Sequence, residues 1–266
     1  MSGEPSSLPF CGIAVMAKAS APGRTKTRLV PLLSAEEAAD LNTAFLRDVC
    51  ANILHAGLRT PVAGYAAYGP SGSDGFFRAT LPPEIDLVEA WFGNFGDCLW
   101  HACIELFRRG HGAAVVLNSD SPTLPPDLLA ETAEVLARPG DRAVLGPSVD
   151  GGYYLLGIKE KHRRLFDDID WSTERVARQT LERAREIGLP VHVLPAWYDV
   201  DDAQTFGLLH GELFGGEPFG LKSFRTGAAE HTRRLLRSLL SKTSLALRNG
   251  APGIGRPEPA TRPHAH

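Results

Sequence analysis

The stretch "GAAVVLNSDSPTLPPDLLAETAEVLA", Gly112 to Ala137, changes its hydrophobic period midway. Ala113 to Leu117 is a short unbroken apolar run, the pattern of a strand covered on both faces. Pro126 then opens a helix, a position where its missing N–H breaks no hydrogen bond. Between the two stands Asp120, after the strand and before Ser121-Pro122, so its carboxylate is expected at the edge of a sheet. A buried strand followed by a helix is the building unit of a parallel α/β sheet.

The same alternation runs outward in both directions. "CGIAVMA" (Cys11–Ala17) reads as a buried strand, and Ser34–Gly57 as a helix. Ser34 and Glu37 have capping-box spacing, and Leu41, Phe45, Val49 and Ile53 mark one face. Thr60–Tyr68 and Glu84–Ala90 read as strands, and Phe95–Gly110 as a helix closed by Gly110. "RAVLGP" and "GYYLLGI" are strands flanking the loop "SVDGG". Trp171–Gly188 reads as a helix capped by Ser172 or Thr173, and Pro190–Val200 as a last strand ending in an acidic turn. Two further helices are expected over Asp201–Phe214 and Ala228–Leu247. The pattern predicts a single three-layer α/β/α domain with a mostly parallel central sheet, over residues 11–248. Residues 1–10 read as a loose lead-in, and the Pro- and Gly-rich residues 249–266 as a disordered tail.

Ligands of such sheets bind outside the carboxyl ends of the strands. Three strand ends are chemically unusual. "AKASAPGRTKTRL" (Ala17–Leu29) holds Lys18, Arg24, Lys26 and Arg28 and no acid. Pro22 and Gly23 fix a turn whose N–H groups can cradle oxygens, while the cations repel one another unless an anion arrives. The spacing is neither GxxxxGK[ST] nor GxGxxG. Asp120 is the second end, suited to Mg²⁺ or Mn²⁺, which prefer oxygen ligands and also bind substrate phosphates. "WYDVDDAQTF" is the third: Asp199 and Asp201 alternate, so both face one side if the backbone is extended. Close acids repel, and a divalent cation relieves that repulsion. Asp201 or Asp202 also suits a helix N-cap. One basic loop and two acidic strand ends describe a site for a nucleotide polyphosphate with its metal.

The totals narrow the remaining classes. The chain has 266 residues, with 28 Lys plus Arg against 31 Asp plus Glu, so no global basic excess points to nucleic acid. Cys11, Cys50, Cys98 and Cys103 form no CxxC pair and read as reduced core thiols of a cytoplasmic protein. The N-terminal residues show no basic, apolar signal pattern, and no run approaches the ~20 apolar residues that span a bilayer. Arg233, Arg234, Arg237 and Lys242 flank a leucine face in the last helix. That helix reads as packed on the domain with a solvated basic face rather than as a membrane contact. His101 and His111 have no partner at ligand spacing.

At these residues the chain resembles the nucleotide-diphospho-sugar transferase superfamily, the glycosyltransferase-A-type fold. Within it, the chain looks like small bacterial proteins labelled glycosyltransferases, some linked to arsenosugar biosynthesis. The matching pieces are "AKASAPGRTKTRLVPLLS", "LNSDSPTLP", "GPSVDGGYYLLG", "WST" and "DVDD". The loop is also similar to that of 2-phospho-lactate guanylyltransferases. The resemblance implies that Lys26 and Arg28 hold nucleotide phosphates, with Ala17, Lys18, Gly23, Arg24, Asn94, Asp97 and Ser119 around the nucleotide. It implies metal ligation by Asp120, with Asp199 or Asp201 as second ligand. "DSP" stands here where the family has DxD, and "DVDDAQTF" lacks the commoner Thr-Pro. Gly151, Gly152, Tyr153, Trp171 and Ser172 would form the acceptor side, and Asp150 would bind or deprotonate an acceptor hydroxyl.

Two transfers follow from that resemblance. In nucleotidyl transfer, a phosphorylated small molecule attacks an NTP and pyrophosphate leaves; the dense cationic loop suits this. In glycosyl transfer, a sugar passes from an NDP-sugar to an acceptor hydroxyl; the family label suits that. Nucleotidyl transfer is the first reading, glycosyl transfer the alternative, and a non-catalytic nucleotide-binding protein the third. The expected partners are a nucleotide or nucleotide-sugar donor and a small-molecule acceptor. Monomer and homodimer are both compatible with the sequence.

Overall fold

The computed structural model describes residues 10–30, 32–216, 218–220 and 225–248. The expected lead-in (except Phe10) and the expected tail lie outside the described residues. The strands are β1 (Cys11–Lys18), β2 (Val62–Gly69), β3 (Asp86–Glu89), β4 (Ala113–Leu117), β5 (Ala143–Pro147), β6 (Tyr153–Ile158) and β7 (Val191–Val193). They form one sheet in the order β3-β2-β1-β4-β6-β5-β7. Every pairing is parallel except those of β6, which runs antiparallel to β4 and β5. β4 is buried along its whole length, as its unbroken apolar run requires.

The helices are α1 (Ala35–Ala56), α2 (Asp74–Thr80), α3 (Phe95–Arg108), α4 (Pro126–Ala137), α5 (Val176–Glu186), α6 (Ala203–His210) and α7 (Glu230–Arg248). Residues of α1 and α4 join Ile13, Val15, Val115 and Leu117 in one core, on the face that also takes Leu236 of α7. Leu99, Ala102, Cys103 and Leu106 of α3 and Ala177 and Ala184 of α5 join Ala14, Val116 and Leu156 in the other. The sheet thus has apolar cores on both faces, the three-layer arrangement that the sequence predicts. All four cysteines are buried and unpaired.

Local chemistry explains most boundaries. Ser34 Oγ accepts from Glu37 N and Glu37 Oε2 accepts from Ser34 N, so the capping box forms. Asp202 caps α6 through Thr205 N. α7 is capped from afar: Asp48 on α1 accepts from His231 N, Thr232 N and Thr232 Oγ1. Three expectations need correction. α5 starts at Val176, not near Trp171, and neither Ser172 nor Thr173 caps it. Ser172 has φ 64, and the Thr173 hydroxyl donates to Asp170 O, so this stretch is a turn. The last strand shrinks to Val191–Val193, and α2 was not anticipated. No helix among the described residues is long and apolar enough to cross a membrane.

Candidate active site

A cleft of about 640 Å³ opens where β1, β4 and the acidic segment after β7 end. Its position follows from topology: β1 and β4 are parallel neighbours, so the loops after them share one edge. Val200 N donates to Asp120 O, which ties the acidic segment beside the end of β4. Lys18, Arg24, Lys26 and Arg28 line one wall, and Ser119, Asp120, Asp150, Asp199 and Asp201 line the floor. Three segments far apart in sequence therefore meet as the strand-end argument predicts.

The four cations are not equivalent. Lys18, Arg24 and Arg28 are exposed, and among the described residues none forms an ion pair. Lys26 instead turns inward. Its backbone is left-handed, φ 50, and its ammonium meets Asp120 Oδ1 at 2.7 Å, Asp201 Oδ1 at 2.9 Å and Val200 O at 2.7 Å. All three N–H donors are thereby used. Burial works to lower the Lys26 pKa, but attraction and hydrogen bonds to Asp120 and Asp201 outweigh it, and the net direction is up.

The carboxylates remain in excess. Burial, together with the charges of Asp150, Asp201 and Asp120, pushes the Asp199 carboxyl up to about 6. Asn118 Oδ1, beside Asp120, is buried without a hydrogen-bond partner. An oxygen-rich site with uncompensated negative charge and a bare acceptor fits a hard divalent cation. Asp120, Asp199 and Asp201 are the residues that would hold it, with Asp150 and Asn118 beside them. A different group, Asp141, Glu160 and His162, has its potential ligand atoms within 4.8 Å of one another. It lies by the start of β5 and the end of β6, on the sheet edge away from the cleft.

Several expected residues stand elsewhere. Ala17 is buried in the core, and Gly23 is an open turn with φ 71; neither lines the cleft. Asn94 caps α3 by accepting from Asp97 N, and Asp97 pairs with Arg163 at 2.6 Å. Neither Asn94 nor Asp97 lines the cleft. Gly151 has φ 92, and a Cβ there would lie 2.1 Å from Glu174 O. Its missing side chain therefore admits the Glu174 backbone rather than a ligand. Gly152, Tyr153, Trp171 and Ser172 do line the cleft. His111 hydrogen-bonds Tyr65, and the His101 ring packs at a tilt against Phe92; neither histidine lines the cleft.

Sequence reasoning overlooked Asn42, Asn118, Phe95 and Glu174, which also line the cleft. Asn118 follows β4 directly, so the strand-end rule could have found it. Asn42 sits on α1 and donates to Lys18 O and Ser20 Oγ, bracing the basic loop. Phe95 and Glu174 carry no local signal.

A family model described as "Uncharacterized protein conserved in bacteria (DUF2064)" matches residues 51–173. The structure is similar to that of a Desulfovibrio desulfuricans G20 protein provisionally assigned as a nucleotide-diphospho-sugar transferase. That similarity has 26% identity and a TM-score of 0.72, over 90% of this chain and 98% of the other. It is also similar to CMP:2-keto-3-deoxy-manno-octonic acid synthetase complexed with CTP, with 11% identity and a TM-score of 0.50, over 78% of this chain and 99% of the other. The second likeness is one of fold. No curated protein matches the chain. The fold is that of the nucleotide-diphospho-sugar transferases.

Proposed function

We propose that the protein is a transferase that draws on a nucleotide-activated donor. The observation that carries this reading is the charge arrangement of the cleft. Lys18, Arg24 and Arg28 are exposed and line the same cleft as Asp120, Asp199 and Asp201. A polyphosphate with a divalent cation complements both halves at once.

In this mechanism Arg24 and Arg28 bind the donor phosphates with forked hydrogen bonds, and Lys18 adds a point charge. Asn42 orients the loop that carries them. Asp120 and Asp199 would hold Mg²⁺ or Mn²⁺, with Asp201, which pairs with Lys26 at 2.9 Å, as the further carboxylate beside them. The bound ion would neutralise phosphate charge. Asp150, held by the N–H of Gly152 at 2.9 Å, accepts the proton of the acceptor hydroxyl.

Two group transfers suit such a donor. The density of cations supports nucleotidyl transfer from an NTP with pyrophosphate as leaving group. The likeness to the Desulfovibrio protein supports glycosyl transfer from an NDP-sugar. Thermal shift with Mg²⁺ and each NTP or NDP-sugar in turn separates them. Stabilisation by one NTP alone rules out the glycosyl reading; stabilisation by NDP-sugars alone rules out the nucleotidyl one. If neither stabilises the protein, the transferase reading is wrong.

A further inference from the structure

The two walls of the cleft differ in chemistry. The wall built by the β1 loop carries every Lys and Arg that lines the cleft. The opposite wall, from the β6 turn and the segment before α5, carries none among the described residues. It offers two acids, Asp150 and Glu174, two hydroxyls, Ser172 and Thr173, and aromatic rings. Two arginines in neighbouring sequence, Arg175 and Arg163, do not line the cleft and are already paired: Arg175 with Asp170 at 3.1 Å, and Arg163 with Asp97 and Asp167.

The aromatic part is organised. Trp171 meets Phe95 edge to face at a centroid distance of 5.4 Å and Tyr153 at 6.4 Å. Trp171 is seated over Gly96, where a Cβ would come within 2.8 Å of its indole nitrogen. Phe95 is 49% exposed, so its ring is open to a ligand in the cleft. Tyr153 lines the cleft while its hydroxyl is buried, so it contributes ring rather than phenol to the wall.

We propose that the acceptor met by this wall, the side that the resemblance already implies for the acceptor, is an uncharged polyhydroxy compound with an apolar face, such as an unphosphorylated sugar. The inference rests on the transferase reading above. A phosphate ester bound here would face Asp150 and Glu174 with no cation to offset them, and like charges at close range repel. An uncharged ring lays its C–H face on Trp171 and Phe95, while Asp150, Glu174, Ser172 and Thr173 accept from its hydroxyls. A few polar groups converging on an apolar wall is the usual make-up of a small-molecule site. This departs from the phosphorylated acceptor expected in the first sequence-based reading.

The test uses the full chain saturated with the donor found by thermal shift. Matched probes are titrated calorimetrically: glucose, mannose and glycerol against glucose 6-phosphate, mannose 6-phosphate and glycerol 3-phosphate. The neutral member of a pair is expected to bind at least tenfold more tightly. Trp171→Ala should weaken neutral-probe binding about tenfold and leave donor affinity unchanged. Because Trp171 packs on α3, Glu174→Lys at an exposed position is the second variant, and it should improve phosphate-ester binding about tenfold. Tighter binding of the phosphate esters by the unaltered protein, or no binding by any neutral probe, overturns the proposal. So does a loss of donor affinity in Trp171→Ala, which would make the wall a donor subsite. Failure of every donor to bind overturns the transferase reading instead, and this inference with it.

Discussion

The Lys26 ammonium lies 2.7 Å from Asp120 Oδ1, with its side chain only 5% exposed. Ninety-odd residues separate the two, and the same nitrogen reaches Asp201. A cation read from sequence as a phosphate ligand thus stands among the carboxylates that a metal would use. Its charge offsets those of Asp120 and Asp201.

Removing that cation should leave two acids uncompensated. Breaking a fully buried ion pair costs about 3–5 kcal/mol. Asp120 and Asp201 are 29% and 42% exposed, so solvent screening reduces the effect. Lys26→Met is expected to destabilise the protein by roughly 2 kcal/mol in urea unfolding with chelator present. Millimolar Mg²⁺ should restore more stability to this variant than to the unaltered protein. An equal response of the two proteins to Mg²⁺ would show that ammonium and metal do not share these carboxylates.

Asp199 sets a pH dependence. Its carboxyl titrates at about 6 in the folded protein against an ordinary 3.8. Between those values the folded state holds the proton more tightly, so stability falls as pH rises through this window. The full penalty, on the order of 3 kcal/mol, applies above pH 6. Asp199→Asn should remove that slope and be more stable than the parent at pH 7.5 in chelator. Divalent-cation binding, measured by calorimetry, should weaken as pH falls below 6. A flat stability profile in the parent across this window would be inconsistent with the crowded-acid description.

Arg24 and Arg28 are exposed and unpaired among the described residues, so their removal should leave stability within about 0.5 kcal/mol. Arg24→Ala and Arg28→Ala should each weaken donor binding about tenfold, roughly one charge-assisted hydrogen bond, with the effect shrinking at high salt. Donor titrations at two ionic strengths check this. Unchanged affinity in both variants would remove the basic loop from the donor site.

Gly151 makes a purely steric prediction. Its φ of 92 disfavours a side chain, and a Cβ would sit 2.1 Å from Glu174 O. Gly151→Ala should cost about 2 kcal/mol or more. It should also displace the Glu174 turn and so weaken acceptor binding before donor binding. Chemical denaturation and separate donor and acceptor titrations distinguish these effects.

Much of the fold was legible in the sequence because its signals are local. The unbroken Ala113–Leu117 run, the Ser34–Glu37 box and Pro126 each specify an element through backbone geometry and period alone. Parallel strands then bring Lys18, Asp120 and Asp199 to one edge, whereas Phe95 and Glu174 of the same cleft carry no local signal, and the expected Asn94 and Asp97 stand outside it. The start of α5 was misplaced because Ser172 and Thr173 make turn contacts that compete with capping. Only the tertiary structure decided which cation turns inward, which glycine admits backbone rather than ligand, and which wall lacks positive charge. Those outcomes depend on contacts such as Lys26 with Asp201 or Gly151 with Glu174. Side-chain direction and desolvation across such separations are fixed by packing, and the local pattern of residues carries no record of them.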